Sequence, residues 1–104
     1  MLFEKKHFGK PISEELSLFL RNYTDKFDRA DVSAETEIGT STLRDVTFRA
    51  NSITESNSKG IIELVRIAAK NCYLRISKSK EDTKLVKRLL GKDEVEKIVQ
   101  EIKG

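Results

Sequence analysis

The sequence predicts an all-α domain of four to five helices followed by a C-terminal helical extension. Apolar residues recur at intervals of three and four along most of the chain, the spacing that places them on one face of an α-helix. Serine, threonine or aspartate stands ahead of most of these stretches, as expected for residues that cap helix starts. The 104 residues include one proline and five glycines, so little of the chain is suited to long linkers.

Length and composition indicate one domain with a modest core. No apolar run reaches the roughly 18 residues that a membrane span needs, and the N-terminus lacks the apolar segment of a secretion signal. The single cysteine, Cys72, cannot form an internal disulfide, which agrees with a reducing compartment. We therefore expect a cytoplasmic protein without a membrane partner.

Two roles are open for the N-terminal residues 1–11, which mix basic and large apolar side chains. The segment could lie along DNA as an arm, or it could be pinned to the core by its aromatic residues. We expect the second role, because three large apolar residues are seldom all left in water. The residues concerned are Lys5, Lys6, His7 and Lys10 among Leu2, Phe3 and Phe8.

A first helix is predicted to begin after Ser13, whose side chain can cap free backbone N–H groups. Glu14 and Glu15 then fall in the first turn, where the helix dipole favours acidic side chains. One apolar stripe follows over three turns, formed by Leu16, Phe19, Leu20, Tyr23 and Phe27. We interpret this stripe as core, not as an aromatic ligand site.

Two short helices joined by a tight turn are predicted next. The second helix is expected over about 29–36, starting at Asp28 with Asp31 as a capping partner. The turn 37–39 leads to a third helix from about Thr40 to Phe48 or Arg49. The apolar residues that would hold the two helices together are Val32, Ile38, Leu43 and Val46, with the small Ser33 at their crossing. Such a helix-turn-helix unit is known to carry a helix into the DNA major groove.

A long fourth helix is predicted from a cap at Ser52 or Thr54 to about Ile76, with Glu55 in its first turn. Its inner stripe comprises Ile61, Leu64, Val65, Ala68 and Cys72. Ile62 and Ile67 lie off this stripe, so we expect the helix to be covered on more than one side.

Residues 77–80 form a polar break before the C-terminal extension. One amphipathic helix bears Leu85, Val86, Leu89 and Leu90 and ends at Gly91, and a last helix bears Val95, Ile98, Val99 and Ile102. The predicted organisation is a helix-turn-helix domain with its N-terminal arm over residues 1–76 and an extension over residues 77–104. We expect the extension to be a dimerisation element; the alternative is that it folds back on its own domain.

Residues 29–54 resemble the lambda-repressor/Cro family of helix-turn-helix DNA-binding domains. The positions that match the family pattern without a gap are Arg29, Val32, Ser33, Ile38, Thr42, Leu43 and Val46, with Ser52-Ile53-Thr54 at the opening of the next helix. The resemblance covers roughly residues 12–72 and implies the family's arrangement of surrounding helices. Four residues differ from the family pattern, two in the second helix and two at the turn and the start of the third helix, and Arg29 stands where glutamine is usual. Glu37 stands where the turn usually has glycine, Gly39 where a serine or threonine caps the third helix, and Ser33 where alanine is usual.

The resemblance also implies which side chains contact DNA. Base edges would be read by Thr40, Ser41, Arg44 and Asp45, and the phosphate backbone would be held by Arg29, Arg49, Asn51 and Ser52. These chemistries fit, since arginine can bond guanine through two hydrogen bonds, hydroxyls donate or accept, and aspartate can accept from cytosine. Asp45 would also repel phosphates, so an alternative role is to orient Arg44.

We therefore expect a sequence-specific DNA-binding transcriptional regulator, similar to the repressors of mobile elements, that binds double-stranded DNA as a homodimer. The net charge of +3 is weak support by itself, and the expected DNA face is only mildly basic. The alternative is a protein-interaction module or antitoxin-like partner that keeps the scaffold without strong DNA binding. An enzyme is not expected, because the sequence shows no paired acids, metal-ligand spacing or phosphate-binding glycine loop. No cofactor, metal or small-molecule substrate is implied.

Overall fold

The computed structural model describes residues 3–75, residue 88 and residues 91–103. In these ranges the regular structure is wholly helical, which confirms the all-α class. After a short 3-10 turn at Lys5–His7, the helices are α1 (Glu14–Tyr23), α2 (Lys26–Thr36), α3 (Thr40–Thr47), α4 (Glu55–Leu74) and α5 (Lys92–Lys103).

Helix α4 is the centre of the fold, since α1, α2, α3 and α5 all pack against it. Its predicted inner stripe is buried, Cys72 included. Ile62 and Ile67, which lie off that stripe, are half-buried against the same core. The expectation that this helix is covered on more than one side is thus confirmed.

Side-chain caps fix where α1 and α4 begin. The Ser13 hydroxyl accepts a hydrogen bond from the Leu16 backbone N–H at 3.1 Å, as predicted. Thr54, not Ser52, caps α4: its hydroxyl accepts from the Asn57 N–H, and the Asn57 side chain accepts from the Thr54 N–H. This reciprocal capping box satisfies two backbone donors that the helix itself leaves unpaired.

The predicted start of α2 at Asp28 is wrong by nearly one turn. The Asp25 carboxylate accepts from the Phe27 and Asp28 backbone N–H groups, at 2.9 and 3.0 Å. Asp28 in turn accepts from the Asp25 N–H. The hydrogen bond from the Asp28 N–H is the largest cause that lowers the pKa of the Asp25 carboxyl below its usual value. Phe27, expected on the stripe of α1, therefore lies in the first turn of α2 and is exposed.

The segment between α2 and α3 is the tight turn that the sequence predicts. Glu37 has a φ of 64°, in the left-handed region that usually favours glycine. Its N–H donates to the Ser33 carbonyl at 2.8 Å, which closes the end of α2. Gly39 supplies no side-chain cap to α3. The turn therefore forms with Glu37 and Gly39 at the two positions where the family pattern has other residues.

The N-terminal segment is pinned to the domain, as expected for its aromatic residues. Phe3 is buried in the core, and Phe8 packs against it. The backbone N–H of Gly9 donates to the Ile53 carbonyl at 2.8 Å, and the Ile53 N–H donates to the Lys10 carbonyl at 2.9 Å. These two bonds join the segment to the loop that precedes α4. Leu2 lies outside the described residues.

The described part of the C-terminal extension folds back on its own domain. Val95 and Ile98 of α5 are buried in the common core. Arg66 of α4 pairs with Glu94 at 2.9 Å, and Arg88 pairs with Glu15 of α1. Val95 and Ile98 are therefore not available for the dimer interface that we expected them to form, because they are buried where α5 packs against α4 of the same chain. Leu85, Val86, Leu89 and Leu90 lie outside the described residues, as do the side chains of Val99 and Ile102.

The packing of α5 can be tested with Ile98→Ala. Ile98 is fully buried, so the substitution should lower the free energy of unfolding by about 2–5 kcal/mol. Gln100→Ala, at an exposed position of the same helix, serves as the control and should change it little. The measurement is a denaturant melt at two protein concentrations, and the loss should be the same at both. A loss confined to the higher concentration would instead place Ile98 in an interface between chains.

Candidate nucleic-acid interface

Helices α2 and α3 pack against each other and present the start of α3 to solvent. Val32, Leu43 and Val46 are buried and hold the pair to the core. Thr40, Ser41 and Arg44 of α3 are exposed. Helical periodicity directs Ser41 away from the buried residues 43, 46 and 47, while Thr40 and Arg44 flank that buried face.

A groove runs between the first halves of α2 and α3, and we call it the α2–α3 groove. Its described lining consists of Lys26, Phe27, Arg29 and Ala30 from α2 with Thr40, Ser41 and Arg44 from α3. Three of these side chains are cations and two are hydroxyls, while none is a carboxylate. An anion with hydrogen-bonding groups is the ligand that such a lining favours.

Asp45 pairs with Arg44 at the edge of this groove. The Asp45 Oδ1 lies 3.3 Å from Arg44 Nη2 and 3.4 Å from Arg44 Nε. Both side chains are well exposed, so the pair contributes little to stability. Its effect is on direction, because it holds one edge of the guanidinium toward Asp45. This geometry agrees with the alternative role for Asp45, that of orienting Arg44.

The eight predicted contact residues do not all meet in one place. Arg29, Thr40, Ser41 and Arg44 line the α2–α3 groove. Asn51 lies in a separate depression with the turn 37–39 and the start of α4. Its side-chain oxygen accepts from the Ser52 N–H at 2.9 Å, and the Ser52 carbonyl accepts from the Asn57 amide.

Arg49 has an intramolecular role that the sequence did not reveal. Its Nε donates to the Ile12 carbonyl at 2.7 Å, and its Nη1 lies 3.4 Å from a Glu14 carboxylate oxygen. The residue has a φ of 63°, so the backbone turns sharply where α3 ends. The guanidinium therefore ties the end of α3 to the start of α1. A phosphate contact by Arg49 would compete with these bonds.

Three residues of the α2–α3 groove were missed by the sequence prediction: Lys26, Phe27 and Ala30. Placing the start of α2 at Asp28 left Lys26 and Phe27 outside the helix. The signal that could have found them is the pair Asp25 and Asp28, whose spacing of three residues suits a capping box.

Other potential sites carry less chemistry. No group of three or more metal-binding side chains occurs among the described residues. The Nδ1 atom of His7 accepts from the Glu4 N–H at 2.9 Å, and Cys72 is buried in the core. None of the described helices has the length and apolar character to cross a membrane.

Comparison of the chain with protein-family models, curated proteins and solved structures found no match.

The role of Arg49 can be tested by its effect on stability. Arg49→Ala should lower the free energy of unfolding by about 1–3 kcal/mol, because the Ile12 carbonyl loses a charged donor. Alanine and arginine both carry a Cβ, so the cost of the left-handed backbone stays similar. Glu14→Ala is the control: it removes the exposed ion pair and one acidic charge at the start of α1, each a contribution of at most about 1 kcal/mol, but leaves the bond to Ile12. If chemical melts show equal losses for the two variants, Arg49 does not tie α3 to α1 through Ile12.

Proposed function

We propose that this protein is a sequence-specific DNA-binding transcriptional regulator whose α2–turn–α3 unit is a helix-turn-helix of the lambda-repressor/Cro type. The observation that carries the proposal is the α2–α3 groove. Two helices there bring together three cations and two hydroxyls, with no carboxylate among the described lining residues. A phosphate backbone and polar base edges are ligands of matching chemistry.

The two helices would divide the work of recognition. Helix α3 would enter the major groove, where Arg44 can bond the O6 and N7 atoms of a guanine and Thr40 and Ser41 can donate to or accept from neighbouring bases. Helix α2 would cross the DNA backbone, with Lys26 and Arg29 directed at phosphates. Asp45 orients Arg44 in this scheme and need not contact a base itself.

The proposal includes a homodimer, no catalytic step and no cofactor. A single unit of this kind reads only a few base pairs, and two units on a two-fold-related sequence give the affinity that a genome requires. Val95 and Ile98 do not form the dimer contact, because they are buried within one chain. Repression is the regulatory outcome that the family resemblance suggests.

A protein-interaction module is the second candidate. Two observations favour it: Phe27 is 67% exposed beside the groove, and Asp45 partly offsets the charge of Arg44. An acidic partner protein could use the same cations. The two candidates differ in whether affinity depends on the base sequence of a duplex.

The test is to select bound sequences from a random duplex library and then compare two variants on the best site. Arg44→Ala should weaken binding by about 1–3 kcal/mol and relax the preference at one base position, since it removes the proposed guanine contact. Lys97→Ala makes the same change of charge at an exposed position of α5 and should bind as the parent does. Enrichment of no sequence, or equal affinities for the two variants, would contradict the proposed role of α3.

A further inference from the structure

Phe27 is a large apolar residue that the fold leaves in solvent. It is 67% exposed, although the core offers ample apolar surface. Its backbone is held in the first turn of α2, where its N–H donates to the Asp25 carboxylate at 2.9 Å. The Lys26 ammonium lies 5.3 Å from the centroid of the Phe27 ring.

The surroundings of Phe27 indicate what the ring would meet. It lines the α2–α3 groove with Arg29, Thr40, Ser41 and Arg44, all of which suit phosphates or polar base edges. A phenylalanine ring can neither donate nor accept a conventional hydrogen bond, so it cannot share that work. The apolar group that a base pair presents in the major groove is the C5-methyl group of thymine.

We propose that Phe27 is a specificity-determining residue that packs against a thymine methyl group, at a base pair next to those read by α3. The inference rests on the proposed DNA-binding function and adds a second kind of readout to it. Arg44 and the hydroxyls select polar edges, while Phe27 favours thymine over cytosine, which lacks the methyl group. Lys26 covers one part of the ring and reaches the adjacent phosphate.

The experiment removes the methyl group alone. Each thymine of the selected duplex is replaced in turn by deoxyuridine, and affinities are measured for the parent, Phe27→Ala and Phe48→Ala. Phe48 is the matched control, because it is an exposed phenylalanine outside the groove, with its ring next to the Arg21 guanidinium. Both substitutions lie at exposed positions, and thermal melts establish that the variants remain folded.

One deoxyuridine substitution should weaken binding of the parent by about three- to fivefold, the effect of losing one buried methyl contact. Phe27→Ala should bind the unmodified duplex more weakly by at least that factor and should no longer respond to that substitution. Phe48→Ala should respond as the parent does.

Three results would overturn the proposal: a selected site without thymine, a Phe27→Ala variant as sensitive to every deoxyuridine as the parent, or one that binds as tightly as the parent. In each of them the parent still binds a selected duplex, so the proposed function stands. A parent that binds no duplex removes both proposals together.

Discussion

Leu43 of α3 packs closely against α4 at Gly60, and this contact positions the α2–turn–α3 unit. A Cβ at Gly60 would lie 2.7 Å from Leu43 Cδ2 and 2.8 Å from Ile38 Cδ1, so the ends of these side chains would have to shift to make room for it. Both distances are shorter than real Cβ contacts allow. Leu43 is fully buried in the core of the domain. Helix α3 has eight residues and is too short to be stable alone, so this contact gives it a fixed position.

A fixed α3 determines what the exposed surface can do. Leu43 and Val46 are buried in the core, and Thr40 and Arg44 are exposed next to the first half of α2. Arg49 also holds α3 in place, because its hydrogen bond to the Ile12 carbonyl joins the end of α3 to the segment just before α1. A site carried on packed helices keeps its side chains in register better than one carried on a loop. The fold therefore supplies a rigid polar surface, and the proposed DNA recognition uses that rigidity.

Local patterns in the sequence predicted much of this fold, because helix faces, caps and turns depend on near neighbours. The cap at Ser13 and the burial of Leu43 are of this kind, while for α4 the pattern left Ser52 and Thr54 open as caps. The start of α2 was misplaced because Asp25 and Asp28 both suit a cap, and only the satisfied backbone donors decide between them. The bond from Arg49 to Ile12 spans 37 residues, and no short-range pattern carries it. Local patterns also could not decide whether α5 folds back or joins two chains, because that depends on which apolar surfaces of the domain the other helices leave uncovered.

The proposed contact of Lys26 and Arg29 with the DNA backbone is tested by the salt dependence of duplex binding. The logarithm of the association constant for a selected duplex should fall linearly with the logarithm of salt concentration, by about 0.9 for each phosphate neutralised. Lys26→Ala should reduce that slope by about one phosphate contact, while Lys97→Ala should leave it unchanged. A binding constant that does not change with salt, or a slope that Lys26→Ala does not alter, would contradict the proposed contact of α2 with phosphates.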